Sequence, residues 1–138
     1  MKYLLDTCVL SAFLKKQSNE KVIKWFDHQL EESLFVSVLT IGEIRKGVTR
    51  LPDSKPKAEL AVWLNGVIRR YNGRLLPIGI ETANVWADLK AMLELKGRLI
   101  PVIDSLLAAT ALEHDLALVT RNEDDFASTG VKILNIWS

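Results

Sequence analysis

The chain has 138 residues, 49% of them hydrophobic and 25% charged, an ordinary globular composition that excludes a disordered tail, a collagen-like repeat and a disulfide-stapled miniprotein. Its 18 Lys and Arg stand against 17 Asp and Glu, a net charge of +1, so no global basic field draws it onto nucleic acid and any such contact must come from a local patch. One cysteine allows no internal disulfide and makes a reducing compartment the default.

In chain order, Tyr3-Leu4-Leu5 is a short apolar strand ended by Asp6. Asp6 comes too early for a signal-peptide apolar region. Val22, Phe26 and Leu30 recur at i, i+4, i+8 and predict a helix. Leu34-Phe35-Val36-Ser37-Val38 is β-rich. Pro52-Asp53-Ser54-Lys55-Pro56 separates two helices but is too short for a domain linker. Leu60, Leu64, Val67, Ile68 and Tyr71 keep one stripe through a long helix. Leu75-Leu76-Pro77-Ile78 is a third strand, and Trp86, Leu89 and Leu93 mark the next helix. Asp104–Asp115 is apolar almost all round, with Ala108, Ala109 and Ala111 as small contacts, and predicts a buried helix close against a sheet. Leu116–Val119 and Val131–Ile136 are the fourth and fifth strands. Runs such as Leu99–Ile103 and Leu106–Leu112 are too short to cross a bilayer.

Continuous apolar strands suit a sheet covered on both faces. Strand–helix–strand alternation predicts an α/β, three-layer domain with a central parallel sheet of four to five strands. One domain over residues 1–138, soluble and cytoplasmic, is the expectation. No internal repeat or low-complexity tract is present.

The acids carry the functional signal. Asp6 follows the first strand, Glu43 falls in the first helical turn after the second, Asp104 opens the buried helix, and Asp125 follows the fourth strand past Thr120-Arg121-Asn122. The carboxyl ends of strands in an open parallel sheet form the crevice where ligands bind. Each acid also has a plain reading. Asp6 and Asp104 suit N-caps, Thr40-Ile41-Gly42-Glu43 reads as a capping box, and Asn122 suits a cap that leaves Asp125 as surface charge. Capping does not explain why acid follows strand after strand on one edge. Gathered carboxylates repel and raise one another's pKa unless a divalent cation neutralises them. Oxygen ligands alone select a hard ion, Mg²⁺ or Mn²⁺. The chemistry that fits is metal-assisted hydrolysis of a phosphodiester.

Four segments in order then resemble the motifs of the PIN domain: Leu4-Leu5-Asp6-Thr7 with Val9-Leu10-Ser11, Ser37 through Ile44, Gly97 through Ala111, and Leu118 through Phe126. As a whole the chain is similar to the VapC-type ribonuclease toxins. The resemblance implies a parallel sheet flanked by helices and an endoribonuclease dependent on Mg²⁺ or Mn²⁺ that leaves 5′-phosphate and 3′-hydroxyl ends. It also implies a toxin neutralised by a VapB-like antitoxin, and usually a homodimer. Carried over by position, Asp6, Glu43 and Asp104 form the acidic core. Asp6 and Asp104 are then direct metal ligands, and Glu43 ligates through water or orients the attacking water. Many PIN domains carry Asp at the place of Asn122; here Asp125 is assigned as the fourth carboxylate and Asn122 as a neutral hydrogen-bonding partner. Cys8 departs from the family, which usually has Asn there to hold the first Asp.

Thr7, Thr40 and Thr120 adjoin the acids and are candidates to hold them or a metal-bound water, with capping as the other reading. For RNA, Arg98 and Arg121 adjoin the acidic motifs. Arg45, Lys46 and Arg50 follow Glu43, and Lys15 and Lys16 end the first helix, where a solvated face is the simpler account. Trp25, Trp63 and Trp86 lie on helical stripes and read as core or dimer contacts. Cys8 reads as a small buried apolar group. A haloacid-type phosphatase needs Asp at the place of Cys8. A dinucleotide fold needs a glycine-rich first turn, and a metal-free ribonuclease needs a His pair, for which only His28 and His114 are available. A housekeeping RNA-processing nuclease and a non-catalytic PIN-like binding module are the remaining alternatives.

Overall fold

A computed structural model describes residues 1–14 and 19–138. Lys15 and Lys16 lie outside the described residues. Five strands form one sheet: β1 (Tyr3–Leu5), β2 (Leu34–Ser37), β3 (Leu75–Leu76), β4 (Ala117–Val119) and β5 (Ile133–Leu134). All pairings are parallel and the order is β3-β2-β1-β4-β5. From β1 the chain winds outward to β2 and β3, then returns to β4 on the other side. The order therefore reverses between β1 and β4. Third and fifth strands are shorter than the sequence reading, because Pro77 supplies no N–H to a ladder and only Ile133 and Leu134 of the last run pair.

The helices are α1 (Thr7–Ser11), α2 (Glu20–Asp27), α3 (Val38–Thr49), α4 (Lys55–Arg70), α5 (Ile80–Leu95), α6 (Val102–Glu113) and α7 (Glu123–Phe126). Two apolar cores lie on the two faces of the sheet. Val9, Leu10, Val22, Ile44, Leu64 and Val67 of α1–α4 pack with Leu5, Val36 and Val119. Leu89, Leu93, Leu107, Ala108, Ala111 and Phe126 of α5–α7 pack with Leu4 and Leu118. Adjacent strand residues go to opposite cores, Leu4 against Leu5 and Leu118 against Val119, as the two-residue period of a strand dictates. The three-layer α/β expectation holds on this architecture.

Three local readings are corrected. Leu30 lies beyond the end of α2 and is exposed, so the stripe of that helix stops at Phe26. The cap of α3 is Ser37, whose Oγ accepts from Leu39 N at 3.0 Å. The Thr40–Glu43 capping box does not form, since Thr40 is already inside the helix and buried. Helix α6 begins at Val102 after Pro101, which makes Asp104 its third residue rather than its cap. Pro101 cannot donate a backbone hydrogen bond and suits a helix entry.

Tyr71, at the end of α4, is fully buried, and its hydroxyl has no hydrogen-bond partner among the described residues. Its ring lies under the guanidinium groups of Arg70 and Arg74, at 5.4 and 4.9 Å, which share Glu31 through ion pairs at 2.8 and 3.1 Å. A buried hydroxyl without a partner costs on the order of 1–3 kcal/mol, while the ring contacts survive in phenylalanine. Tyr71→Phe is therefore expected to leave the urea midpoint unchanged or raise it. A loss of more than about 1 kcal/mol would show that the hydroxyl has a partner in solution.

Candidate active site at the sheet switch point

The carboxyl ends of β1 and β4 meet where the strand order reverses, the place where open α/β sheets build ligand sites. Leu5 and Val119 are partners in register, so the next residues, Asp6 and Thr120, leave the sheet side by side. Asp6 is 9% exposed and held at both oxygens. Its Oδ1 accepts from Thr7 N at 2.7 Å, capping α1, and its Oδ2 accepts from Thr120 Oγ1 at 2.7 Å. Thr120 Oγ1 in turn accepts from Asn122 N at 3.1 Å.

Cys8 is not simply a small apolar group. It is half buried, and its Sγ stands 3.8 Å from Asp6 Oδ2 and 3.9 Å from Thr120 Oγ1. Burial, opposed by a backbone contact with Arg121 and reinforced by the Asp6 charge, pushes its thiol pKa up. A neutral thiol is a weak donor, so Thr120, from the neighbouring strand, supplies the strong side-chain bond to Asp6.

The other acids arrive from three helices. Glu43 is the sixth residue of α3 and half buried, a turn later than the sequence reading placed it. Asp104 sits half buried in the first turn of α6. Asp125 is exposed on α7. Their convergence is visible in the acidity of Asp104. Its pKa rises from an ordinary 3.8 to about 6, first through burial and then through the charges of Asp6, Asp125 and Glu43. All four acids singled out in the sequence thus share one electrostatic environment.

The supporting residues divide. Thr7 contributes its backbone N–H and Thr120 its hydroxyl. Thr40 makes no hydrogen bond to the four acids among the described residues, and Asn122 acts through its backbone, its side chain making no cap bond. Arg45, Lys46 and Arg50 are exposed on α3, and Arg45 lines a separate cleft between α3 and α4 with Val48, Lys57 and Asn65. Arg98 and Arg121, by contrast, each line a cleft shared with Asp125. His28 and His114 end α2 and α6, helices of opposite layers, which does not favour a paired-histidine mechanism.

One link was not foreseen. Trp86 Nε1 donates to Ser105 Oγ at 2.8 Å, and Ser105 Oγ donates to Val102 O at 2.6 Å, which ties the first turn of α6, and Asp104 with it, to α5. An indole on a helical stripe facing a serine is the only trace this leaves in the sequence.

As a donor set, four carboxylates offer oxygen only, which suits a hard divalent cation. Among the described residues no three His, Cys, Asp or Glu side chains close into a metal cage. Mg²⁺ does not require one, since it keeps several waters and takes one or two carboxylates directly. The residues present fit such an ion on the chemistry of their donors.

The acidity of Asp104 sets a pH dependence. Because its folded pKa lies above its ordinary value, the folded chain binds this proton more tightly than the unfolded chain does. The stabilisation is present below 3.8, falls as pH rises, and is gone above about 6. Asp104→Asn is expected to flatten the fall in urea midpoint across that window and to be the more stable protein at neutral pH. Parallel curves for parent and variant would remove the charge convergence at Asp104.

The PIN-domain family model matches residues 3–132. The VapC ribonuclease Y4jK of Sinorhizobium fredii is 33% identical over 135 residues, which cover 97% of this chain and 96% of the relative. Toxin FitB of Neisseria gonorrhoeae is 34% identical over 135 residues, 97% of each chain. In the crystal structure of FitAcB from Neisseria gonorrhoeae, a chain of 34% identity superposes with a TM-score of 0.92 over 98% of both chains. The switch-point site therefore sits in a chain that belongs to the PIN-domain family, with VapC and FitB proteins among its relatives.

Proposed function

We propose that this protein is an endoribonuclease dependent on Mg²⁺ or Mn²⁺, the toxin of a type II toxin–antitoxin pair held inactive by a VapB-like antitoxin. The observation that carries the reading is the convergence of Asp6, Asp125 and Glu43 on Asp104, whose carboxyl pKa is pushed up first by burial and then by their charges. A chain that kept this fold only for binding would gain nothing from that repulsion. The names of the relatives, a VapC ribonuclease and a toxin, support the same reading.

Asp6 and Asp104 are the residues to hold the cation directly, and Glu43 holds it through water. When bound, the cation polarises a phosphoryl oxygen and lowers the pKa of a water. Asp6 is oriented for its part by Thr7 and Thr120, which fix both carboxylate oxygens. Asp104 serves as a ligand in its ionised form, which a bound cation favours over the protonated one. Glu43 or Asp125 positions and deprotonates the attacking water. The water oxygen joins phosphorus as the bond from phosphorus to the ribose 3′ oxygen breaks; that departing oxygen takes a proton from solvent and becomes the 3′-hydroxyl, and the other product ends in a 5′-phosphate.

The homodimer that the resemblance implies has a surface available. Met92, Leu95 and Val102 are exposed where α5 ends and α6 begins, with Leu95 at 89%. No helix among the described residues is long and apolar enough to cross a membrane.

Asp6→Asn and Asp104→Asn are each expected to lower RNA cleavage by at least ~100-fold with an unchanged circular dichroism spectrum, and EDTA is expected to abolish cleavage by the parent. Near-parental rates in either variant, or cleavage that survives EDTA, would overturn the metal-site reading. Leu95→Glu is expected to sediment as a monomer if the α5–α6 corner forms the dimer. An unchanged sedimentation coefficient would move the interface elsewhere.

A further inference from the structure

Asp124 and Asp125 stand between two clefts and line both. One, of about 290 Å³, is lined by Arg98, Leu99, Ile100, Pro101, Asp124, Asp125 and Ser128. The other, of about 280 Å³, is lined by Arg121 through Asp125. Each contains one arginine, and neither Arg98 nor Arg121 has an ion-pair partner among the described residues. Both are anchored. Arg98 N donates to Leu93 O at 2.9 Å, and Lys90 Nζ donates to Ile100 O at 3.2 Å, so the loop that carries Arg98 is tied to α5. The Arg121 guanidinium lies 4.4 Å from the centre of the Trp137 ring. Trp137 is fixed in turn: its N donates to Asn135 Oδ1 at 2.9 Å, and Asn135 Nδ2 donates to Glu123 Oε2 at 3.1 Å, which clips the end of the chain onto α7.

Resting on the ribonuclease reading, we infer that single-stranded RNA crosses the acidic centre from one cleft to the other, with Arg98 and Arg121 holding phosphates on opposite sides of the scissile bond and Trp137 positioning Arg121. An acidic centre repels a polyanion, so the strand needs cations on its flanks rather than among the carboxylates. A guanidinium offers a planar donor fork to a phosphate, and one lying on an indole keeps its other face for a base. Two clefts with one arginine each give a track with a defined middle, where Asp124 and Asp125 line both clefts. Trp137 acts through Arg121 and is a positioning residue.

The test uses the full chain, an RNA oligonucleotide and a series of salt concentrations. Arg98→Ala and Arg121→Ala are each expected to raise KM about 5–10-fold with kcat within about twofold. Each should also lower the slope of log affinity against log salt by about 0.7, one phosphate contact on a single strand. Trp137→Leu is expected to weaken binding as Arg121→Ala does, Trp137→Phe to restore most of it, and Trp137→Leu to have no further effect in the Arg121→Ala background. Slopes unchanged in both arginine variants, in a protein that cleaves RNA, would overturn the track and leave the nuclease reading in place. A parent protein that neither cleaves nor binds RNA would overturn the nuclease reading itself. If Trp137→Leu costs the same factor with and without Arg121, the ring acts on its own and the positioning role falls. Urea midpoints for each variant separate these outcomes from loss of fold.

Discussion

Like charges gathered at one edge of a sheet are the constraint around which this molecule is arranged. A parallel sheet sends every strand's carboxyl end to the same edge, and the reversal of order between β1 and β4 leaves a crevice there. Asp6 enters it from β1, Glu43 from α3, Asp104 from α6 and Asp125 from α7. No ion pair to any of the four is found among the described residues. The repulsion falls most heavily on Asp104, which is half buried and has the other three acids as neighbours. Two apolar cores, one on each face of the sheet, hold the backbone against that repulsion.

Orientation at the crevice comes from strand pairing more than from local sequence. The PIN-domain resemblance implies Asn two residues after the first Asp, where this chain has Cys8. A thiol at 3.8 Å is a poor substitute for an amide. The register of β1 on β4 supplies another: Thr120 leaves the sheet beside Asp6 and donates to it at 2.7 Å. A single hydroxyl thus ties Asp6 to the turn after β4, since it also receives Asn122 N. The turn that bears Arg121 and leads to Asp125 is fixed by the same atom that fixes Asp6.

What the sequence disclosed, and what it hid, follows from the range of each interaction. The strands after which acids appear were legible because buried parallel strands are continuous apolar runs: Tyr3–Leu5 forms as read, and the run Leu116–Val119 forms a strand from Ala117 to Val119. The stripes Leu64, Val67, Tyr71 and Leu89, Leu93 are buried as read. Caps were less legible. Ser37 and Thr40 both suit an N-cap, and the choice depends on where β2 stops pairing with β3, which is set by a segment nearly forty residues away. The acids could be named one by one, but their common environment arises only when α6 and α7 pack beside β1. Arg121 was visible beside its motif, whereas its ring partner, Trp137, is brought there by β5 and the Asn135 contacts, with no short-range pattern to announce it.

The division of labour at the crevice also separates charge from shape. Asp6, Glu43 and Asp104 are at least half buried on elements that pack into the two cores, so their separation changes little without disturbing a core, whereas Asp125 is exposed on α7. The arginines lie on a loop and a turn at the rim, each fastened by one or two polar contacts to a neighbouring element. A cation binding among the acids acts on the folded state alone and stabilises it by mass action, relieving the repulsion concentrated on Asp104. Arg98 and Arg121, by contrast, belong to neither apolar core. On the proposed reading, substitution at Arg98 or Arg121 alters how a strand is held and leaves both cores intact, while change at Asp6, Thr120 or Asp104 alters the charge balance of the crevice and the sheet edge that supports it.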